Sequence, residues 1–207
     1  MEMDEKIQTA VKALNRHGFK AEFIADCESA KKLILGRIPG DARVGIPGSK
    51  TIRQLGLDQA LRERGQTTYD HWLAGLSAEE VLKMRKAQLT CDVLLSSANA
   101  ITESGEIYNM DGVGNRIAPM IFGPALVLIV VGKNKIVPDL ESARERLRKI
   151  AAPQRAAELN LKLSCVQSGE CYDCNSPARI CRAELILHRA PSLTRIEVYI
   201  IDKELGN

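Results

Sequence analysis

The 207-residue sequence predicts an α/β fold, with an open, mostly parallel sheet flanked by helices. Two continuous apolar runs, at residues 91–96 and 125–131, are typical of parallel strands covered by helices on both faces. Segments with helical spacing of apolar residues alternate with such strands, which is the pattern of βα units. The composition, 45% hydrophobic and 27% charged, is that of a globular protein, and the length predicts one domain over residues 1–207.

The first half of the chain begins with a segment, residues 1–40, that is mainly helical. Ile7, Val11 and Leu14 have the spacing of one helix face. Ser77 and Glu80 form a capping box that opens a later helix. The predicted elements are helices at 4–15, about 29–35 and 77–88, and strands at 21–25 and 42–46.

The second half contains a polar stretch, then a long helix and two final strands. Asp139 can cap this helix, whose apolar stripe is Leu140, Ala143, Leu147 and Ile150. Pro153 is expected to kink or interrupt it. The predicted strands of this half lie at about 91–96, 106–108, 125–131, 184–188 and 195–201.

Charge and hydropathy exclude several functional classes. The net charge of +3 is small and its basic residues are interleaved with acidic ones, which argues against nucleic-acid binding. The longest apolar run has seven residues, whereas a membrane span needs about 20. The N-terminus is acidic where a signal peptide would be basic. We therefore expect a cytoplasmic protein without membrane or nucleic-acid partners, in which clustered cysteines favour metal binding or redox chemistry over disulfides.

A turn between a buried strand and a helix start is the first candidate site. Its free N–H groups and hydroxyls could bind an anion, with Lys50 supplying a positive charge. The glycine spacing is not that of a Walker loop. The alternative is a tight turn with a helix cap. The candidate ligand-binding residues here are Gly45, Gly48, Ser49, Lys50 and Thr51.

A polar stretch at residues 96–116 is the second candidate site, because ligands of open α/β sheets bind beyond the carboxyl ends of the strands. Glu103, Glu106 and Asp111 could act as base, acid or nucleophile. Amide and guanidinium groups could orient a polar or carboxylate ligand. The alternative is a connection whose Asn, Asp and Gly residues serve backbone turns. The candidate ligand-orienting residues are Asn99, Asn109, Asn115 and Arg116.

Four of the six cysteines form the third candidate site, in the loop 165–181. Cys171 and Cys174 are separated by two residues, and Cys165 and Cys181 flank them. Four thiolates can bind zinc or an iron–sulfur cluster, and the spacing does not decide between these two. Disulfides or inert buried thiols are the alternatives. The isolated residues Cys27, Cys91, His17, His71, His188 and Trp72 are assigned to packing or to the surface.

Three sequence blocks resemble the LUD (lactate-utilisation) domain family. They are Gly-Ile-Pro-Gly-Ser at 45–49, Ala-Asn-Ala-Ile-Thr-Glu at 98–103, and Asn-Met-Asp-Gly-Val-Gly-Asn-Arg at 109–116. Shorter blocks extend the similarity at 122–124, 131–137, 151–153 and 176–181. The cysteine cluster is similar to that of a compact branch of the family.

The resemblance implies a fold similar to the sugar-phosphate isomerase and CoA-transferase superfamily, and a homodimer. It also implies a role in the oxidation of L-lactate to pyruvate, alongside partner proteins that carry iron–sulfur clusters. Three hypotheses follow. The first is a component of organic-acid metabolism that binds a small anion and an iron–sulfur cluster of the 4Fe–4S type. The second is an isomerase-like or CoA-transferase-like enzyme that acts through Glu103 or Glu106. The third is a non-catalytic binding or regulatory module in which zinc only stabilises the cysteine loop.

Overall fold

The computed structural model describes residues 4–207, in which a six-stranded parallel sheet forms the centre. The spatial order of its strands is β1-β10-β7-β4-β2-β3, and every neighbouring pair is parallel. These strands are β1 (Lys20–Ile24), β2 (Val44–Ile46), β3 (Thr68–Asp70), β4 (Val93–Ser96), β7 (Leu126–Gly132) and β10 (Arg195–Ile201). The α/β prediction with a mostly parallel sheet is confirmed.

A second, four-stranded sheet was not predicted as such, although two of its strands match the predicted strands at about 106–108 and 184–188. Its order is β8-β5-β6-β9, where β6 is antiparallel to both neighbours and β5 is parallel to β8. These strands are β5 (Ala100–Thr102), β6 (Ile107–Asp111), β8 (Ile136–Val137) and β9 (Ala183–Leu187). They are at most five residues long, and such short runs carry little periodicity.

Helices flank both sheets. They are α1 (Glu5–Arg16), α2 (Cys27–Arg37), α3 (Lys50–Gln54), α4 (Leu57–Glu63), α5 (Ala78–Ala87), α6 (Ala118–Ile121), α7 (Leu140–Arg146), α8 (Ala152–Glu158) and α9 (Ser164–Ser168). The capping box of Ser77 and Glu80 is present at the start of α5. Within residues 4–207, the helices are too short or too polar to traverse a bilayer.

Three apolar clusters hold these layers together. One face of the main sheet packs on α1 and on β5 and β6 of the second sheet, through residues such as Leu14, Ile101 and Ile129. The opposite face packs on α2, α3 and α4, for example through Ile34, Ile52 and Leu61. The third cluster joins the second sheet to α7 and the turn that follows it. The second sheet therefore sits between the main sheet and α7.

The helix predicted after Asp139 is present, and a π-helical turn interrupts its α-helical geometry just before Pro153. This turn, Leu147–Ala151, joins α7 to α8, and Pro153 is the second residue of α8. The wider π turn also rotates the apolar face, so that Ala151 is buried and Ile150 is 41% exposed. The assignment of Ile150 to the apolar stripe was therefore wrong.

Within the N-terminal segment 1–40, the predicted strand at 21–25 is β1, an edge strand of the main sheet between α1 and α2. The first three residues of the segment lie outside the described residues. The predicted cysteine loop 165–181 begins within the short helix α9 and reaches the start of β9.

Candidate functional site

A cavity of about 520 Å³ lies at the carboxyl ends of the parallel strands. Its size is that of a small-molecule site, about 300–1,000 Å³. From β2 the chain continues to β3 on one side of β2, and then crosses back to β4 on its other side. The direction of strand addition reverses here, and open α/β sheets bind ligands at such switch points. The residues that line the cavity just after strands are Pro47, Gly48, Ser49, Lys50, Thr51, His71, Trp72, Ser97, Ala98, Asn99 and Lys135.

The floor of the cavity is built around Lys135, which follows β7 in a 3₁₀ turn and is 5% exposed. Its Nζ donates hydrogen bonds to the Ala98 carbonyl (3.1 Å), the Ser97 hydroxyl (3.2 Å) and the Thr51 hydroxyl (3.4 Å). All three acceptors are neutral. Burial, and then the positive charges of Arg146 and Arg116, lower the pKa of Lys135 to about 7.

Arg116 forms the adjoining wall. It donates hydrogen bonds to the side-chain oxygens of Asn109 (2.9 Å) and Asn99 (3.1 Å) and to the Met110 carbonyl (2.5 Å). Burial lowers its pKa, and the nearby charge of Asp111 opposes that effect. The two asparagines therefore orient a guanidinium group whose hydrogen-bond partners are neutral oxygens.

Asp111 ends β6 on the same wall and orders the turn that follows. Its oxygens accept hydrogen bonds from the backbone N–H groups of Gly112 (2.9 Å) and Arg116 (3.0 Å). Of the lining side chains in residues 4–207, five are Lys or Arg and one, Asp111, is a carboxylate. The five are Lys50, Arg85, Arg116, Lys135 and Arg155. The cavity therefore has the charge of an anion site.

Trp72 forms an aromatic part of the cavity lining. Arg155 stacks on the Trp72 ring, with its guanidinium carbon 4.3 Å from the ring centroid. Gly48 has φ +78, and a Cβ there would lie 2.6 Å from Cε2 of Trp72. Close packing of the indole against this turn therefore requires Gly48.

Arg85 on α5 and His71 after β3 complete this side. The Nε of Arg85 is buried, with no hydrogen-bond partner among the described residues. Burial and the nearby Arg85 lower the pKa of His71 to about 4, so its ring is neutral near pH 7. The side-chain amide of Gln88 donates to Nδ1 of His71 (3.1 Å) and its oxygen accepts from Asn115 (2.8 Å).

The predicted site residues separate into those on the cavity and those elsewhere. Asn109 accepts a hydrogen bond from Arg116 and is not itself part of the cavity lining. Eight predicted residues line the cavity: Gly48, Ser49, Lys50, Thr51, Asn99, Asp111, Asn115 and Arg116. Lys50 is paired with Glu158 (2.6 Å). Gly45 is buried within β2, where a Cβ would lie 2.7 Å from Sγ of Cys91.

Glu103 and Glu106 lie in the turn between β5 and β6, outside the cavity lining. The carboxylate of Glu106 accepts hydrogen bonds from Ser104 (2.6 Å) and from Thr102. Because β5 and β6 are antiparallel, this turn is at the opposite end of the pair from Asn99 and Asp111. Their position does not support the catalytic role predicted for them.

The four cysteines of the loop 165–181 line one small cavity of about 30 Å³. The pKa of Cys181 is raised to about 11 by burial and then by the neighbouring thiols. Arg179 fixes the loop by donating to the carbonyls of Cys174 (2.7 Å) and Cys181 (2.8 Å). Within residues 4–207, no three His, Cys, Asp or Glu side chains converge as a site for a single metal ion.

The two cavities share a wall. Ile180 and Cys181 line both of them. The backbone N–H of Arg182 donates to the carbonyl of Asp111 (3.0 Å), and Gly112 packs closely against Ile180. The thiol pocket is therefore joined to the turn that carries Asp111 and Arg116.

Sequence reasoning missed several lining residues, namely Lys135, Arg85, Arg155, Ser97, His71 and Trp72. The rule that sites follow strands could have found Lys135, which comes shortly after the predicted strand at 125–131. His71 and Trp72 follow β3, which has only three residues and was not predicted. Arg85 and Arg155 lie on helices, where no sequence pattern distinguishes them from surface arginines.

Similarity to known proteins extends over nearly the whole chain. The sequence model of the LUD domain matches residues 7–201. The chain belongs to the LUD-domain family. A crystal structure of a DUF162 family protein from Deinococcus radiodurans is similar to this LUD protein, with 14% sequence identity, a TM-score of 0.50, and coverage of 97% of this chain and 99% of that one. At that identity the similarity concerns the fold alone. No curated protein matches the sequence significantly.

Proposed function

We propose that this LUD protein is a lactate-utilisation-type protein of organic-acid metabolism. In this proposal it binds a small organic-acid anion in the large cavity. It also holds an iron–sulfur cluster on Cys165, Cys171, Cys174 and Cys181. Family membership supports the metabolic role, and the two cavities support the two binding functions.

The observation that carries the anion proposal is the charge of the cavity. Five lysines and arginines line it against one lining carboxylate, Asp111, and two of the five, Lys50 and Arg155, are paired with Glu158 beside the cavity. Arg116 and Lys135 donate hydrogen bonds to neutral oxygens; Asp111 lies near Arg116, whereas the charges that act on Lys135 are positive, and a buried charge without a counter-charge is costly. A carboxylate ligand would supply that counter-charge and accept hydrogen bonds from both groups.

The donor set of the smaller pocket suits a group held by several thiolates. Four sulfurs line it, and the positively charged Arg179 lies beside them, with its pKa raised by Asp173 first and then by Cys174 and Cys181. Iron–sulfur clusters are ligated by four cysteine thiolates, and when bound they accept and donate single electrons. The shared wall at Cys181 would keep an organic acid and the cluster close together.

Metal and sulfide analysis of anaerobically purified protein tests the cluster. We expect brown protein containing iron and sulfide, and loss of both in C174S. C27S is the control, because Cys27 lies on α2 and outside the thiol pocket. Colourless protein with stoichiometric zinc would contradict the cluster and favour the zinc-stapled alternative.

Fluorescence titration tests the anion site, because Trp72 is the single tryptophan and lies on the cavity wall. L-lactate and pyruvate should change its emission saturably. R85Q should weaken binding about 10-fold or more, as expected for about 1.4 kcal/mol from one charged group. K83Q is the matched control, because it removes the same charge from the exposed side of α5. E106Q tests whether the β5–β6 turn takes part in binding. Both variants should bind the anion as tightly as wild type. Equal effects of R85Q and K83Q would refute a direct contact.

Other expectations stay predictions. They are a homodimer, iron–sulfur partner proteins that exchange electrons with the cluster, and a cytoplasmic location.

A further inference from the structure

Lys135 is a buried lysine on the cavity floor without a counter-charge. Its Nζ is surrounded by the Ala98 carbonyl and the hydroxyls of Ser97 and Thr51, at 3.1–3.4 Å. In the described range, no carboxylate pairs with it. By contrast Lys133, two residues earlier, is exposed and paired with Asp202 (2.8 Å). Lys135 therefore lacks the environment of an ordinary surface lysine.

Burial, and then the charges near its amine, keep part of the Lys135 population neutral near pH 7. Arg116 and Arg146 are the charged groups that act on it, and both are positive. Arg146 donates to the carbonyls of Asn134 (3.1 Å) and Asn99 (2.8 Å), so its position is fixed. Burial beside like charges is how proteins turn a lysine into a nucleophile.

Arg116 and Lys135 contact neighbouring residues of one segment. Arg116 donates to the side chain of Asn99 (3.1 Å), and Lys135 to the carbonyl of Ala98 (3.1 Å). Both line the same cavity. In a 2-oxo acid the carboxylate and the ketone carbon are directly bonded, which matches a guanidinium group beside an amine.

We infer that Lys135 condenses with a 2-oxo acid in this cavity to form an imine, while Arg116 binds the adjacent carboxylate. The neutral amine attacks C2 of the acid and an N–C2 bond forms. The carbonyl oxygen then leaves as water with the two hydrogens of the amine, so no oxidant or reductant is needed. This inference rests on the proposed organic-acid site and names its ligand class.

Reductive trapping with pyruvate tests the inference. Wild-type protein is incubated with pyruvate and cyanoborohydride, and peptide mass mapping locates any reduced adduct. We expect a single adduct on Lys135 and its loss in K135R, which keeps the charge. Lys133 and Lys50 serve as internal controls, because each is paired with a carboxylate. L-lactate, which has no ketone, should bind without forming an adduct.

The pH dependence separates this lysine from the others. The adduct yield should rise through about pH 7, where the Lys135 amine loses its proton, well below the range of an ordinary lysine. Pyruvate that saturates the Trp72 signal without trapping on Lys135 overturns the imine and leaves the proposed anion site standing. Equal trapping on Lys133 or Lys50 also overturns it. Pyruvate that fails to bind overturns the organic-acid site and the imine together.

Discussion

Replacing Lys135 with methionine should stabilise the ligand-free protein at neutral pH, although it removes a residue of the proposed site. Methionine has a similar length and no charge to desolvate. Burial and two neighbouring guanidinium groups lower the pKa of Lys135 from 10.5 to about 7. At about 1.4 kcal/mol per pH unit, that difference corresponds to about 5 kcal/mol of destabilisation when the lysine is charged.

The variant also loses hydrogen bonds, which reduces the gain. The hydroxyls of Ser97 and Thr51 can still pair with each other at 3.3 Å, but the Ala98 carbonyl loses the Lys135 donor. An unsatisfied buried group costs about 1–3 kcal/mol. The expected net increase in the free energy of unfolding is therefore about 2–4 kcal/mol at or below neutral pH.

The gain should depend on pH in a way that identifies its cause. The unfolded lysine keeps its proton up to about pH 10.5, whereas the folded one releases it above about pH 7. Between these values the unfolded state binds more protons, so wild-type stability rises with pH as the penalty is removed. The advantage of K135M should shrink over the same range.

Urea unfolding of wild type, K135M and K133M at about pH 6.5 and about pH 9.5 measures both effects. The proteins are compared at equal cofactor content. K133M removes an exposed lysine and should change stability by less than about 1 kcal/mol. A K135M protein that is less stable than wild type by the same amount at both pH values would refute the electrostatic account of the cavity floor.

Two further predictions concern the wall that carries Trp72. D70N should lower the free energy of unfolding by about 3 kcal/mol. The buried Asp70 accepts two hydrogen bonds from Arg53 (2.6 and 2.7 Å), and removing its charge would leave that of Arg53 without this partner. Asp70 also accepts from the backbone N–H of Trp72 (3.0 Å), so chemical denaturation followed by tryptophan emission should show both the destabilisation and a spectral shift. G48A should disturb Trp72 emission and anion binding, since its Cβ would lie 2.6 Å from the indole. G75A, also at positive φ but with open space around its Cβ, should cost only about 1–2 kcal/mol and leave the emission unchanged.

The main sheet could be predicted because its central strands are buried on both faces. Residues 93–96 and 126–132 form nearly continuous apolar runs, and short runs of this kind are typical of buried parallel strands. β3, β5 and β8 could not be predicted in this way, and neither could the pairing of β6 and β9 in a second sheet. These two-residue to five-residue strands are defined by pairing partners distant in sequence, such as Ile107 with Leu187. The π turn that exposes Ile150 could not be predicted either. It changes the helix register at one place, and the average spacing of apolar residues along the helix does not reveal such a local change.

Sequence reasoning found the cavity residues that directly follow predicted strands. It missed the residues that tertiary packing brings to the cavity. Residues 48–51 and 111–116 follow strands, and they lie on the cavity. Glu103 was assigned because its polar stretch follows the strand at 91–96, but β5 carries the chain away from that strand end, and a sequence does not reveal which end of a hairpin faces a cavity. Lys135 was overlooked for a different reason: its sequence neighbours look like surface residues, and its burial arises from contacts with Thr51 and Ser97.

The floor of the cavity makes stability and ligand binding dependent on each other. A cation that is costly when the cavity holds no anion becomes favourable when one is bound, so the ligand's binding energy includes relief of the repulsion among Arg116, Lys135 and Arg146. Wild-type protein should therefore gain more stability from an organic acid than K135M does. The residue that lowers the stability of the ligand-free protein is, by this argument, the one that couples folding most strongly to the ligand's charge.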